Sequence, residues 1–504
     1  MSASAAGLDA RLVDAVRRGR ADLVKTLIQQ KVDVNALAPD GASALHWAAE
    51  RDDMDVAVLL VGAGAKASVA NQFGVTPLSL ACTNGSAAMV DFLLRSGADP
   101  NATLPNGETA LMTASRTGNP KVVQSLVERG AKVETTEAML GQTPLMWAAA
   151  EGHNDVVRLL IERGANVNAR SKAGFTPLLL AARDADIETS RTLINAGAKV
   201  NDTAADGTSA LTVAVIRGHT KYAQFLLDQG ALVDQGPGFT PLHWAVGDWS
   251  VELAGDNTFV RPEGSEWDAV LGLRGAEKIE MVELLLAYGA DVNAVAQATP
   301  RYSGGRGRGG KQAGANAFMM AAMNADVTMM KLLRSYGASP TQVTQNGVSA
   351  IMFAAGLASN FSIGYTSIKE ENALAAVKLC YELGDVDVKR ADKYGDTALH
   401  GAAYRGLAGS TGLIQFLVDK GADPNAKNKR GWTPVTVAEG VYTNNSNTRS
   451  PEALALLLKL GGVASPPNVE RDAYSVFDEG NQGTIGTQAI PTKVKPPETV
   501  QPRP

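Results

Sequence analysis

The chain has 504 residues, of which 45% are hydrophobic, 20% are charged and 5% are aromatic. Its formal net charge of −5 at pH 7 excludes the global positive field that attracts nucleic acid or an anionic membrane, and no apolar run approaches the roughly 20 residues needed to cross a bilayer. The two cysteines, Cys82 and Cys380, are expected to be buried small hydrophobes without a redox or nucleophilic role.

The first predicted element occupies residues 1–36. Its opening, MSASAAG, has neither a charged n-region nor an apolar h-region, so no signal peptide is visible. Two helical segments follow, with charged residues such as Asp14 and Arg17 among their apolar positions. Such residues are typical of the terminal unit of a repeat array, which keeps one face in water. We therefore predict an N-terminal capping repeat over 1–36.

Residues 37–234 contain the regular part of a repeat. A variant of Thr-Pro-Leu-His opens a helix eleven times in the whole chain, and the first five gaps are 33, 33, 34, 33 and 33 residues. Self-similarity at this period predicts stacked helical modules. The opening positions are Ser43, Thr76, Thr109, Thr143, Thr176, Ser209, Thr240, Asn316, Ser349, Thr397 and Thr433.

The unit from Gly141 to Arg170 shows what each motif position does. Thr143 is placed to cap the free backbone N–H groups at the start of a helix, and Pro144 follows at the first helical position, where a missing N–H costs nothing. A second helix from Val156 to Ile161 is apolar on most of its circumference, which indicates burial. Gly164 is expected to end it in the left-handed conformation.

Successive units are joined by tight turns. Asp-Gly and Asn-Gly pairs supply the positive φ angles that such turns need. The pairs are Asp40-Gly41, Asn106-Gly107, Asp206-Gly207 and Asn346-Gly347. One unit of a turn and two helices cannot cover its own apolar faces, so the units must stack on one another.

These residues resemble the ankyrin repeat over roughly residues 8–463. The resemblance implies an all-α fold with β-turn fingers, an α-solenoid of about 12 stacked helix-turn-helix repeats. The chain looks like the long bacterial type of array. It is expected to be soluble, and cytoplasmic as the chain reads, although such arrays are often made with export signals and a periplasmic location is the alternative.

The resemblance also implies a protein partner, bound by the turn tips and by the concave face of the first helices. Side chains at both places vary between copies, as a partner-reading surface would. The candidates near turn tips are Phe73, Lys172 and Tyr394, and those after the paired-alanine positions are Arg51, Asn84, Arg116, Glu151 and Arg217. Trp47 and Trp147, in contrast, are interpreted as packing residues.

Residues 235–463 keep the repeat but carry four insertions, at 247–275, 297–315, 356–372 and 440–451. Insertions in stacked repeats project as loops and are frequently where binding occurs. The first, third and fourth are expected to cluster in space as a lobe, whereas packing in a satellite cluster or a solvated loop is the alternative. Candidate contact residues in these segments are Trp249, Phe259, Trp267, Tyr302, Arg306, Arg308 and Tyr365.

The last segment, 464–504, contains seven prolines and is predicted to be a largely disordered tail. Every one of the five histidines occupies a repeat-motif position, and no nucleotide-binding, zinc or nucleophile motif occurs. We therefore predict a non-catalytic scaffold for protein binding without cofactor, metal, nucleic acid or membrane insertion. The alternatives are an enzyme with its site in the inserted lobe and a self-associating structural protein.

Overall fold

The computed structural model describes residues 5–236, 238–247, 273, 275–297, 313–357, 368–405, 410–443, 446–447, 449–466 and 469. The helices in these ranges form twelve consecutive pairs. The first helices of the pairs are α1 Ala5–Arg17, α3 Ala44–Glu50, α5 Pro77–Thr83, α7 Ala110–Thr117, α9 Pro144–Ala150, α11 Pro177–Arg183, α13 Ala210–Ile216, α15 Pro241–Val246, α17 Ala317–Met323, α19 Ala350–Ala355, α21 Ala398–Tyr404 and α23 Pro434–Gly440.

The second helices of the pairs are α2 Ala21–Gln29, α4 Met54–Gly62, α6 Ala87–Arg95, α8 Pro120–Glu128, α10 Asn154–Glu162, α12 Ile187–Asn195, α14 Thr220–Asp228, α16 Gly275–Ala287, α18 Val327–Ser335, α20 Glu370–Glu382, α22 Thr411–Asp419 and α24 Pro451–Lys459. The predicted all-α architecture of about twelve helix pairs is thereby confirmed. One short hairpin adds to it: β1 Tyr442–Thr443 pairs antiparallel with β2 Ser446–Asn447.

The helices begin where the motif predicts. The Thr143 hydroxyl accepts the backbone N–H of Met146, and Pro144 is the first residue of α9. Leu160 of α10 is fully buried, together with Val156 and Val157, but Leu159 and Ile161 are only partly buried. The second helix is therefore less enclosed than its composition predicts, because one side of it faces solvent.

The turns form fingers that are short antiparallel hairpins, seen as isolated bridges such as Thr103 with Thr109. Gly107 has a φ of +81°, whereas Asn106 is not among the residues with positive φ. The pair therefore supplies positive φ as predicted, and the glycine alone carries it. At Gly174, where φ is +80°, a Cβ would also lie 2.6 Å from the backbone nitrogen of Ala205 in the next finger.

In several repeats an asparagine near the start of the finger links neighbouring repeats. The Asn168 side chain donates from Nδ2 to the carbonyl of Gly197 at 3.1 Å, and its Oδ1 accepts the backbone N–H of Lys199 at 3.1 Å. Asn101 makes the same pair of bonds to Gly130 and Lys132. Asn101 and Asn168 each therefore satisfy a backbone carbonyl at the helix end of the following repeat.

The chain separates into two compact units. The first comprises residues 1–354 and 375–386, and the second 355–374 and 387–504. In the first unit, first helices pack on first helices in order, from α1 against α3 to α11 against α13. In the second, α21 packs on α23 and α22 on α24. The apolar interior of each unit is thus built between neighbouring helix pairs, as expected of stacked repeats.

Candidate functional site

The first candidate surface lies at the C-terminal ends of the first helices in unit one. We call it the first-helix surface, and it includes the exposed residues Arg51, Asn84, Arg116 and Glu151 with the partly buried Arg217. All five were predicted as contact residues. The residues just before these ends are buried, Ala48 and Ala49 completely so, so the helix ends offer the exposed side chains to a partner.

Some of these side chains also hold adjacent repeats together. Asn84 donates from Nδ2 to the carbonyls of Ala49 and Glu50 in the preceding repeat, at 3.0 and 2.8 Å. His153 of the fifth repeat makes a similar contact to the fourth, because its Nε2 lies 2.8 Å from the carbonyl of Arg116. Because the last carbonyls of a helix have no partner within it, these contacts complete the helix ends while leaving the surrounding surface exposed.

Two arginines on this surface stack on tryptophans of the next repeat. The guanidinium carbon of Arg17 lies 5.2 Å from the ring centroid of Trp47, and that of Arg116 lies 5.2 Å from the ring centroid of Trp147. Cation–π contacts of this length are attractive. The tryptophans are thus partly exposed platforms as well as packing residues.

The second candidate surface consists of the fingertips. Backbone N–H groups at one tip donate to carbonyls of the preceding tip: Ala138 to Asn106 at 2.7 Å, and Lys172 to Leu140 at 2.8 Å. At the equivalent position Pro105 has no N–H to donate. The fingertips therefore form a hydrogen-bonded row that is interrupted at the third and fourth repeats.

Several fingertip side chains are apolar and exposed. Phe73 is 60% exposed, Met139 73% and Leu140 47%. Lys172 is exposed and its ammonium group donates to the carbonyl of Ala138. These residues lie on consecutive or nearby repeats and provide a contact surface with both apolar and charged parts.

The fingertip of the second unit carries the predicted residue Tyr394. Its side chain is 42% exposed, and the Lys393 ammonium lies 5.1 Å from its ring centroid. Its carbonyl accepts the backbone N–H of Lys429 in the next finger at 2.9 Å. The tip row found in unit one therefore recurs here.

The remaining predicted contact residues lie outside the described residues, as do most of the first three predicted insertions and of the tail. These residues are Trp249, Phe259, Trp267, Tyr302, Arg306, Arg308 and Tyr365. The expected clustering of the first, third and fourth insertions therefore stays a prediction, because most of the first and third lies outside the described residues. Part of the fourth insertion is described, and it forms the hairpin of β1 and β2.

Histidines of the Thr-Pro-Leu-His element have defined roles. Nδ1 of His243 accepts the backbone N–H of Thr240 at 3.2 Å, so it carries no proton, and Nε2 lies 3.2 Å from the carbonyl of Ala315, to which it donates. Burial lowers the pKa of His243 to about 4. His46 and His400 make the equivalent contacts, and burial lowers their pKa values as well.

The two cysteines are also enclosed. Cys82 and Cys380 are buried free thiols, and burial raises the pKa of each well above its ordinary value, which makes them poor nucleophiles. Within the described ranges, no group of three or more His, Cys, Asp or Glu side chains is arranged to hold a metal ion. Nor does any described helix have the length and apolar character needed to span a membrane.

The repeat is also recognised by comparison with known proteins. A family description for three consecutive ankyrin repeats matches residues 12–104, 54–137, 111–204 and 178–254, and one for a single ankyrin repeat matches 394–429. Together these ranges cover more than half of the chain. The chain belongs to the ankyrin-repeat family. Membership confirms the predicted ankyrin solenoid and supports a role in protein interaction, without naming a partner.

Curated ankyrin-repeat relatives match short stretches. The chain is 34% identical over 122 residues to "Ankyrin repeat and KH domain-containing protein mask-1" of Caenorhabditis elegans, covering 24% of this chain and 5% of that protein. It is 33% identical over 101 residues to the human "Protein phosphatase 1 regulatory subunit 27", covering 20% and 66%. The matches thus span less than two thirds of either relative, and since both are animal proteins they do not support the expected bacterial type of array.

Among solved structures, the human ASB11 ankyrin repeat domain matches with 31% identity and a TM-score of 0.40, covering 44% of this chain and 98% of that domain.

The arginine–tryptophan stacks were not predicted from the sequence, because each residue was assigned separately to its own repeat. Arg17 was assigned to a wet face of the capping repeat, and Trp47 and Trp147 to packing. A signal was available, because the two tryptophans occupy one motif position 100 residues apart.

Proposed function

We propose that this ankyrin array is a non-catalytic scaffold that binds a protein partner through its first-helix surface and fingertips. The observation that carries the proposal is the contrast between framework and surface. Cap, turn and core positions repeat the same residue types, whereas the helix ends vary between Arg51, Asn84, Arg116 and Glu151. A surface that varies on a constant framework provides specificity for a partner without altering the fold.

The chemistry of the described residues supports binding over catalysis. A general base needs a titratable side chain that can reach a substrate, but His46, His243 and His400 are buried and engaged in bonds to the backbone. The curated relative from human is a regulatory subunit by its printed name, which agrees with a binding role. An enzymatic site in the inserted segments is the competing function, and the partner-capture experiment below distinguishes the two.

We further propose that the array has the organisation read from the sequence. It comprises a capping repeat over 1–36, regular repeats over 37–234, repeats with insertions over 235–463, and a tail over 464–504. In this proposal the aromatic insertions extend the binding surface of their own repeats. Deleting residues 247–275 should then weaken capture of the partner, and full capture by the deleted form would remove that insertion from the surface.

Photo-crosslinking tests which face binds. The full chain is prepared with a photoreactive phenylalanine derivative at Phe73, at Glu151 or, as a matched control, at Glu162, which is exposed at the end of second helix α10. Irradiation in a native lysate should give a discrete crosslinked protein from the first two positions and not from the control. Equal crosslinking from all three positions, or crosslinking from Glu162 alone, would contradict the proposed surface.

A further inference from the structure

The two arginine–tryptophan stacks have the same construction. We call them the first station, Arg17 on Trp47, and the second station, Arg116 on Trp147. In each the arginine comes from one repeat and the tryptophan from the next, and the separation is 5.2 Å in both. Each tryptophan lies four residues after its helix-capping residue, so the stations occupy equivalent places exactly three repeats apart.

Packing alone does not require tryptophan at this position. The same motif position holds Leu80 in the third repeat and Leu180 in the sixth. In both tryptophans the indole Nε1 is buried and finds no acceptor among the described residues, and an unpaired buried donor is destabilising. Leucine could fill the position of either tryptophan, and each indole N–H is unpaired. Tryptophan at these two places is therefore better explained by the arginine that its partly exposed ring contacts.

The arginine charge at each station is available to a partner. No carboxylate among the described residues lies within ion-pairing distance of the Arg17 guanidinium, and the nearest approach to Arg116 is Glu108 Oε1 at 3.9 Å. Glu108 thus forms a long ion pair with Arg116, and the same oxygen accepts the Thr113 hydroxyl at 2.8 Å. The Arg17 and Arg116 side chains are exposed, and a guanidinium presents N–H donors that match a carboxylate in bidentate geometry.

Two helix ends lie between the stations, those of α3 and α5. Glu50 and Arg51 are exposed at the end of α3, and Thr83 and Asn84 are exposed at the end of α5. Nη1 of Arg51 lies 3.5 Å from the carbonyl of Arg17, so Arg51 adds positive charge beside the first station, while solvent and salt screen the exposed Glu50. The uncharged end of α5 therefore separates the positive charge at the first station from that at the second.

The separation of the stations defines the ligand. Packed helices lie about 8–10 Å apart, so three repeats span roughly 24–30 Å. An extended chain rises about 3.3 Å per residue, which corresponds to about seven to nine residues. We propose that the two stations bind one extended peptide segment of a partner protein, with a carboxylate side chain at each end of an uncharged stretch of about eight residues. This rests on the proposed scaffold function and specifies its ligand.

Peptide probes test the spacing. The probe is a fluorescein-labelled peptide of serine, threonine and proline with a central leucine and two glutamates about eight residues apart; two controls have the glutamates adjacent or replaced by glutamine. Fluorescence anisotropy with the full chain should give at least about tenfold tighter binding of the spaced probe, equivalent to ~1.4 kcal/mol. Equal affinity for the three peptides, or no binding of the spaced probe, overturns the inference.

Variants of the chain test the residues. Arg17→Gln and Arg116→Gln should each weaken the spaced probe about tenfold, and so should Trp147→Leu, which has leucine as a natural occupant of that position in other repeats. Arg158→Gln, on second helix α10, is the matched control and should bind as the parent does. Far-UV circular dichroism checks that each variant is folded.

The two proposals fail in different ways. If Arg17→Gln and Arg116→Gln leave probe binding unchanged, the stations are wrong as binding sites. If the same variants still crosslink a partner through Glu151, the scaffold function stands while the carboxylate-binding stations do not. Loss of both probe binding and crosslinking in these variants supports the inference.

Discussion

Acid should destabilise the array through its buried motif histidines, and His243 provides the test. Nδ1 of this ring accepts a backbone N–H, so a proton added there would face another proton donor. Burial lowers the pKa of His243 from its ordinary 6.5 to about 4. The perturbation is His243→Met, because methionine fills the equivalent position in other repeats, for example Met146.

The direction in which stability changes with pH follows from proton binding to His243. The unfolded chain protonates His243 near pH 6.5 and the folded chain only near pH 4, so between these values the unfolded state binds more protons. Stability contributed by the neutral ring is therefore complete above pH 6.5 and is lost as the pH falls through this window. With 1.36 kcal/mol per pKa unit, the loss between pH 7 and pH 4.5 is about 2 kcal/mol.

Urea unfolding at pH 7.0, 5.5 and 4.5, followed by far-UV circular dichroism, measures this loss. Carboxylate titration affects parent and variant alike, so the difference between them isolates the histidine. At pH 7 the variant should be less stable by about 1 kcal/mol, since one net hydrogen bond to the Ala315 carbonyl is lost. The two proteins should be about equally stable near pH 5.5, and at pH 4.5 the variant should be the more stable by about 1 kcal/mol. A variant with the same acid sensitivity as the parent would refute the reasoning.

Three further predictions concern the framework. Leu160→Ala should lower the unfolding free energy by about 2–5 kcal/mol, the range for a buried leucine, and an unchanged thermal transition would count against its burial. Asn168→Ala removes both hydrogen bonds to the next repeat and should lower the unfolding free energy measured in urea by about 1–2 kcal/mol. Asn195 is exposed, so Asn195→Ala is the control and should leave stability unchanged. Equal effects of the two substitutions would show that the inter-repeat hydrogen bonds contribute nothing. Cys82 should react with a thiol reagent only after denaturation, because its raised pKa and burial disfavour the thiolate, and rapid labelling of the native chain would disprove that.

The repeat framework could be predicted from the sequence because the same local stabilising features recur in each repeat. A capping hydroxyl at Thr143, a proline at the first helical position and a left-handed glycine at Gly164 act within a few residues of the chain, so sequence spacing alone locates them. All three are as predicted. The interior position Leu160 followed from helical periodicity, which also acts locally.

The surface was less predictable because its geometry joins residues of different repeats. Asn84 was expected to face a partner, yet its amide also binds two carbonyls of the preceding repeat. Periodicity shows that two residues occupy equivalent positions, but it does not show which side chain of one repeat reaches a backbone group of another. That information depends on the offset between stacked helices, which only coordinates provide.

This difference explains how one family of repeats accommodates many surfaces. The fold depends on bonds that involve backbone groups and small buried residues, such as Ala48 and Ala49, so the helix ends can change without loss of stacking. An arginine placed at such an end can reach across to the next repeat, as Arg116 reaches Trp147. In the proposed function, recognition belongs to pairs of neighbouring repeats rather than to single ones, and the order of the repeats in the chain sets the order of chemical groups that a bound segment must match.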